Sequence, residues 1–170
     1  MRLILFRHGS AGRRDPKRWP DDRVRPLTSV GAQLVRAAAE GLARIEPDIE
    51  QVVSSPYARA RQTARVLADV IGTGEIEEME ALRPEGSVSD LLGPLSTRVS
   101  DRSLVLVGHE PDLGILAGLL LFGSPGALPL KKAGACSIRF EAAPREGAGR
   151  LAWFLPPKLL RYAGTRKRHV

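Results

Sequence analysis

The segment Arg2-Leu3-Ile4-Leu5-Phe6-Arg7-His8-Gly9 joins a short apolar run to an arginine, a histidine and a glycine. A short, wholly apolar run is typical of a strand that is buried on both faces of a parallel sheet, so we predict the first strand over Arg2 to Phe6. Ligands of open α/β sheets bind beyond the carboxyl ends of the strands. His8 therefore lies where chemistry is expected, and we expect Gly9 to let a ligand approach the backbone closely.

Strands and helices alternate along the rest of the chain, which predicts a layered α/β sheet. Thr28 is the expected N-cap of a helix over Ser29 to Ile45, with an apolar stripe of Leu34, Ala37, Ala38 and Leu42. A second helix is expected to begin at Pro56, capped by Ser55, and to end at Gly72. The other predicted strands are Gln51 to Ser54, Ile76 to Met79, Ser103 to Val107, Ala135 to Phe140 and Arg150 to Phe154, and the other predicted helices are Val88 to Val99 and Pro111 to about Gly123.

A second histidine stands in the same context as the first. Gly108-His109-Glu110-Pro111 follows the apolar strand Ser103 to Val107 and precedes a predicted helix. Histidines at the ends of two neighbouring parallel strands converge on one point, whereas a lone histidine in such a place is more often structural. The chain has only three histidines, and the third, His169, lies in a basic segment and is assigned no role.

A third segment, Ser54 to Ala64, predicts an anion site. It combines a strand end with a capped helix start, where free backbone N–H groups and the helix dipole favour an anion. Arg59 lies near the edge of the apolar stripe and can turn towards Arg7, and planar guanidinium groups suit phosphate oxygens. Arg61 lies further round the helix and is interpreted as a solvated surface residue.

Together these segments resemble the histidine phosphatase superfamily, the group that includes phosphoglycerate mutases. The matching segments are Arg7-His8-Gly9, Ser55 to Ala64 and Gly108-His109, with Leu27-Thr28, Gly31 and Gln33 at the start of the first helix. The short chain is most similar to the SixA-type phosphohistidine phosphatases. The resemblance implies a three-layer α/β/α sandwich around a mostly parallel sheet, as in the phosphoglycerate mutases.

The resemblance also implies a role for each matched residue. His8 would be a nucleophile that forms a phosphohistidine intermediate, and its pKa would be lowered by the nearby arginines. Arg7, Arg59 and His109 would bind the phosphoryl oxygens. Gly9, Ser10 and Glu110 are expected to contact the substrate. Such chemistry needs no metal or other cofactor, and we expect none, since the sequence has no Cys/His cluster and no Walker motif.

A general acid for the leaving group is less evident. Glu80 and Glu85 are the candidates, although both are equally interpreted as surface carboxylates on a polar loop. A phosphorylated imidazole is a far better leaving group than an alkoxide, so a site without an acid suits phosphohistidine. Little chain is left over for a lid beyond the loop from Gly9 to Pro26, and an open site would admit a side chain on another protein, such as a phosphorelay histidine domain.

Composition limits the other possibilities. The chain has 170 residues, 43% of them hydrophobic, which predicts one domain over residues 1–160 followed by a basic tail over 161–170. Its single cysteine, Cys136, is consistent with a reducing compartment, and no apolar run reaches the roughly 18 residues of a membrane span. Arg7-His8 interrupts the first apolar run, which argues against a signal peptide. We therefore expect a cytoplasmic protein without a membrane partner, and a monomer is favoured over an oligomer.

Two alternatives remain open. The same chemistry could act on a small phosphorylated metabolite. A net charge of +7 also allows a non-catalytic module that binds phosphate or nucleic acid. Against that module, only 5% of residues are aromatic, few for base stacking, and no nucleic-acid-binding signature is found. No nucleic-acid partner is therefore expected.

Overall fold

The computed structural model describes residues 1–84, 86–98, 102–126 and 128–165. Six strands and five α-helices alternate along this part of the chain. The strands are β1 (Arg2–Arg7), β2 (Ile49–Ser54), β3 (Glu77–Glu78), β4 (Ser103–Gly108), β5 (Ala135–Arg139) and β6 (Arg150–Leu155). The helices are α1 (Ser29–Ile45), α2 (Ala58–Ile71), α3 (Ser89–Ser96), α4 (Asp112–Phe122) and α5 (Pro157–Thr165).

The strands form one mixed sheet in the order β3-β2-β4-β1-β5-β6. The pairs β2–β3, β2–β4 and β1–β4 are parallel, whereas β1–β5 and β5–β6 are antiparallel. In the central pair Arg7 is in register with Gly108, and the His8 backbone N–H donates to the Gly108 carbonyl at 3.1 Å. This neighbouring pair brings the two histidine-containing strand ends side by side.

Helices cover both faces of the sheet. Alternate residues of β1 face opposite ways: Leu3 and Leu5 pack with the apolar residues of α3 and α4. Ile4 and Phe6 pack with residues of α1, α2 and α5. All four are fully buried. The expected three-layer α/β/α sandwich is confirmed. The run from Leu3 to Phe6 in β1 is wholly apolar because, as predicted, the strand is buried on both faces of the sheet.

Helix α1 has the predicted bounds and cap, since the Thr28 hydroxyl accepts a hydrogen bond from the Gly31 N–H. Its predicted stripe was partly wrong: Leu34 is exposed, and Val35 and Ala39 are buried beside Ala38 and Leu42. The buried arc is displaced because α1 packs against α2 and α5 as well as against the sheet, and α5 is not predicted from the sequence.

The start of α2 also differs from the prediction. The helix begins at Ala58 instead of Pro56, and its N-cap is Tyr57, which makes no side-chain cap. The Ser55 hydroxyl accepts from the Tyr57 N–H at 3.3 Å, but it also contacts His109, so the serine belongs to the site instead of a helix cap. The helix ends as expected at Gly72, which is left-handed with φ of 83°.

The other elements differ mainly at their ends. Strand β3 has only two residues, and α3 ends at Ser96, while the predicted end at Val99 lies outside the described residues. Helix α5 was not predicted. It continues to Thr165, so the first five residues assigned to a basic tail are helical, and residues 166–170 are not described. Helix α5 therefore crosses the boundary placed at residue 160, and Leu160 packs on α1. No helix in the described ranges has the length and apolarity needed to cross a membrane.

Candidate active site

The two histidines meet at the carboxyl ends of β1 and β4. The ring centroids of His8 and His109 are 4.9 Å apart and the ring planes are inclined by 55°. Both side chains are buried, and both line a cavity of about 380 Å³ together with Arg7 and Arg59. The four residues expected to carry the chemistry therefore share one cavity.

The hydrogen bond of His8 defines which ring nitrogen carries its proton. Nδ1 lies 2.6 Å from the Gly9 carbonyl oxygen, which can only accept. Nδ1 therefore holds the hydrogen, and Nε2 has a free lone pair as long as the ring is neutral. Burial lowers the pKa of His8 to about 3; the Gly9 bond opposes this shift, while Arg59, Arg7 and Lys132 add to it. The predicted direction is correct, but burial outweighs the arginines as its cause.

The two arginines are held by oxygen atoms of neighbouring segments. Arg7 Nη1 donates to the Leu130 carbonyl at 2.8 Å. Arg59 Nη1 donates to the backbone carbonyl of Asp22 at 3.0 Å and lies 3.0 Å from the Asp22 carboxylate. The guanidinium of Arg59 also lies over the Tyr57 ring, 4.9 Å from its centroid. Within the described part of the chain, Nε of each arginine is buried without a partner.

His109 has one ring nitrogen engaged and one unpaired. Nε2 lies 2.9 Å from the Ser55 hydroxyl, while Nδ1 is buried and has no hydrogen-bond partner among the described residues. The edge of the Tyr57 ring packs against it. Burial first, and then the proximity of His8, lowers the pKa of His109 to about 2, so this ring is also neutral at physiological pH.

The long loop from Gly9 to Pro26 contributes residues that the sequence did not assign to the site. Asp22, Arg14 and Arg25 line the cavity, and Lys132 enters it from the segment before β5. The hydrogen bond from Arg25 is the main cause that holds the pKa of Asp22 below its ordinary value, with help from Arg59 and Arg14. The length and charge of this loop were the only sequence signals, and they did not single out Asp22.

A model of the histidine phosphatase superfamily (branch 1) matches residues 3–124 of the chain. The chain belongs to the histidine phosphatase superfamily. It is 39% identical over 146 residues to an uncharacterised protein from Picosynechococcus sp., covering 84% of this chain and 87% of that protein. It is 28% identical over 168 residues to phosphohistidine phosphatase SixA from Escherichia coli K12, covering 96% and 98% of the two chains.

The fold of this histidine phosphatase is also similar to a solved structure of the protein histidine phosphatase SixA complexed with tungstate. The TM-score is 0.82 at 27% identity, and the match covers 94% of this chain and 99% of the other. The protein is thus a SixA-like phosphatase, a hydrolase of the class that acts on phosphate esters or phosphohistidine. This finding replaces the alternative of a non-catalytic phosphate- or nucleic-acid-binding module.

Three predicted contact residues have other partners in this phosphatase. A side chain at Gly9 would meet Val35 of α1 at 2.5 Å, so the glycine permits the packing of α1 against this segment. Ser10 does not line the cavity; its carbonyl accepts from the N–H and the hydroxyl of Thr28. Glu110 lines the cavity, but its Oε1 accepts from the Leu130 N–H at 2.9 Å.

Of the two general-acid candidates, only Glu80 is among the described residues. Glu80 starts a short 3₁₀ turn, is exposed and does not line the cavity, because the turn directs it to the surface. Glu85 lies outside the described residues, although Pro84 next to it lines the cavity. Arg61 is exposed and pairs with Glu78 at 3.3 Å, as expected of a surface residue. In the described ranges, no group of three His, Cys, Asp or Glu residues is placed to hold a metal ion.

Proposed function

We propose that this enzyme hydrolyses phosphohistidine on a protein, with His8 as the nucleophile. The observation that carries the proposal is the Nδ1 hydrogen bond of His8, which leaves Nε2 unprotonated in a cavity lined by two arginines. Nε2 attacks phosphorus, the bond to the leaving group breaks with its electron pair going to the leaving group, and the His8 ring becomes an imidazolium whose Nδ1–H still donates to the Gly9 carbonyl. Water then attacks phosphorus, and His8 leaves as a neutral imidazole.

Arg7, Arg59 and His109 hold the transferring phosphoryl group in this mechanism. Charge neutralisation and positioning supply most of the acceleration in phosphoryl transfer. Both guanidinium groups are anchored by backbone carbonyls, which fixes them before the substrate arrives. The SixA structure bound to tungstate supports an oxyanion site in this fold, because tungstate is a tetrahedral oxyanion like phosphate.

A phosphohistidine substrate is supported by the kind of leaving group that this site can release. Asp22 is ionised by its pairing with Arg25 and Arg59, so it cannot donate a proton to an alkoxide. The imidazole of a phosphohistidine leaves without such help. The similarity to SixA, described as a phosphohistidine phosphatase, points the same way. We further propose that the enzyme acts in the cytoplasm, as a monomer, on a phosphorelay histidine domain.

A small phosphorylated metabolite is the second candidate, and one observation favours it. Glu110 lines the cavity, and burial raises the pKa of its carboxyl. A carboxylic acid that keeps its proton at higher pH can protonate an alkoxide leaving group. Its Oε1, however, accepts a hydrogen bond from the Leu130 N–H. This bond opposes part of the rise in the pKa of Glu110 and holds the carboxyl group in place.

The test is acid-quenched labelling with a ³²P-phosphohistidine domain, run in parallel with a panel of sugar and nucleotide phosphates. The proposal requires an acid-labile, base-stable label on residue 8 and faster turnover of the phosphohistidine domain than of any metabolite. Arg61→Gln serves as the control, because this exposed arginine of α2 lies outside the cavity. A label on another residue rejects His8 as nucleophile, and turnover of metabolites alone rejects the protein substrate.

A further inference from the structure

Ser55 lies at the carboxyl end of β2, beside the end of β4, the strand that leads into His109. It follows β2 directly and is fully buried, and its N–H donates to the carbonyl of Val107 in β4 at 2.9 Å. Its hydroxyl lies 2.9 Å from Nε2 of His109 and 3.3 Å from the N–H of Tyr57. The backbone bond to β4 therefore fixes the position of this hydroxyl relative to His109.

Among the partners of the Ser55 hydroxyl, one can accept its hydrogen. The Tyr57 N–H can only donate, so it takes a lone pair of the serine oxygen. The other partner in the described part of the chain is Nε2 of His109, and the ring is neutral. If Nε2 accepts the hydroxyl hydrogen, the Tyr57 N–H, the Ser55 hydroxyl and Nε2 of His109 each have a partner. If Nε2 were protonated instead, the serine oxygen would accept twice and its own hydrogen would have no partner.

This arrangement determines what His109 can offer to a ligand. A neutral imidazole carries one hydrogen, and with Nε2 as acceptor that hydrogen is on Nδ1. Nδ1 is buried and has no partner in the described ranges, a condition that is costly unless a ligand satisfies it. A phosphoryl oxygen is only an acceptor and would be repelled by a lone pair on Nδ1.

We infer that Ser55 is a positioning residue that sets the tautomer of His109, so that Nδ1–H donates to a phosphoryl oxygen of the transferring group. Ser55 itself does not line the cavity and acts through the ring. The inference rests on the proposed function to the extent that His109 binds the phosphoryl group.

The tautomer can be read directly in the wild-type enzyme. In protein labelled with ¹⁵N-histidine, two-bond ¹⁵N–¹H spectra distinguish a ring nitrogen that carries hydrogen from one that does not. We expect His109 to have a protonated Nδ1 and a bare Nε2, and His109→Gln identifies its signals. A protonated Nε2 in the wild-type enzyme overturns the inference without any variant having to fold.

Variants test the functional consequence. Ser55→Ala should lower the rate of phosphoenzyme formation by about 10-fold to 100-fold, which is no more than the effect of losing one oxyanion donor. In this variant His109 should populate both neutral tautomers. Ser55→Thr, which keeps the hydroxyl, should restore the wild-type tautomer. Ser54→Ala is the matched control, since Ser54 is equally buried but its hydroxyl donates to the backbone carbonyl of Ser55.

A double variant separates the inference from the proposed function. In a His109→Gln background, Ser55→Ala should cost no further activity, because the serine acts only through the ring. A full additional loss there means that Ser55 supports the structure and that the inference is wrong. Wild-type activity in His109→Gln alone would instead reject the proposed role of His109 in binding the phosphoryl group.

Discussion

Asp22 and Arg59 form an ion pair inside a cavity whose lining holds more cationic side chains than carboxylates. Nη1 of Arg59 lies 3.0 Å from the Asp22 carboxylate and also donates to the backbone carbonyl of Asp22 at 3.0 Å. The aspartate side chain is 30% exposed and the arginine only 5%. One residue of the long loop thus orients the guanidinium through its carbonyl and partly neutralises it through its carboxylate.

Asp22→Asn should therefore strengthen the binding of inorganic phosphate. The variant keeps the backbone carbonyl that orients Arg59 but removes a negative charge next to the bound anion. A partly exposed pair is worth up to about 1 kcal/mol, so we expect a dissociation constant about threefold to fivefold lower. Competition of phosphate with substrate turnover measures this constant. Asp21→Asn is the control, because Asp21 caps the short 3₁₀ turn Asp22–Val24, a role that asparagine also fills, and does not line the cavity. Unchanged or weaker phosphate binding would show that the carboxylate is needed to orient the arginine.

Local patterns in the sequence were sufficient to predict the scaffold of the site. A histidine follows the apolar run of both β1 and β4, separated from it by one residue. This pattern predicts that the two histidines lie together if the strands are neighbours, and the two strands do pair. Thr28 caps the start of α1 by accepting from the Gly31 N–H, and Gly72 ends α2 with its N–H donating to the Ala68 carbonyl. Such features depend on residues close in sequence, which is why they could be predicted.

The features that sequence analysis missed depend on contacts distant along the chain. Leu130 accepts from Arg7 and donates to Glu110, yet nothing in its local sequence marks it. Gly31 allows α1 to pack closely on the loop, because a side chain there would lie 2.1 Å from the Ser10 carbonyl oxygen. Helix α5 was missed because its order comes from packing on α1.

Arg59→Lys should retain binding but lose most of the catalytic rate. A lysine keeps the positive charge, but it has neither the planar fork nor the second contact through which Asp22 holds the arginine. We expect kcat to fall by about 10²-fold to 10³-fold, the scale of one lost transition-state donor, with a smaller change in KM. Steady-state kinetics on the phosphohistidine domain measure both constants. Arg61→Lys, two residues along the same helix, should match the wild type, and an Arg59→Lys enzyme with full kcat would remove Arg59 from the mechanism.

The two depressed histidine pKa values predict how stability depends on pH. In the unfolded chain both rings titrate near pH 6.5, whereas in the folded protein the pKa is about 3 for His8 and about 2 for His109. Between these values the unfolded state binds protons that the folded state does not. The free energy of unfolding is therefore fully retained above pH 6.5 and falls as pH is lowered, by up to about 1.4 kcal/mol per pH unit for each ring.

Urea unfolding at a series of pH values measures this slope. His8→Gln and His109→Gln should each make it shallower, whereas Arg61→Gln should leave it unchanged. The rate per folded molecule should not fall as pH passes downward through 6.5, since His8 stays unprotonated there. An NMR titration in which the His8 ring of the folded enzyme takes up a proton near pH 6.5 would contradict the burial of this ring as the cause of its neutrality.

Gly41→Ala should destabilise the protein by breaking the packing of α5 on α1. A side chain at this position would lie 1.8 Å from the carbonyl oxygen of Leu160 and 3.2 Å from the N–H nitrogen of Gly164, and backbone atoms cannot move aside individually. We expect a loss of about 1–3 kcal/mol in the free energy of unfolding, the usual cost of overpacking. Gly74→Ala is the control, because this exposed glycine has nothing within 4 Å of its added carbon and its φ is not left-handed. Equal urea midpoints for the two variants would mean that α5 does not dock on Gly41 in solution, and residues 161–165 would then belong to the basic tail predicted from sequence.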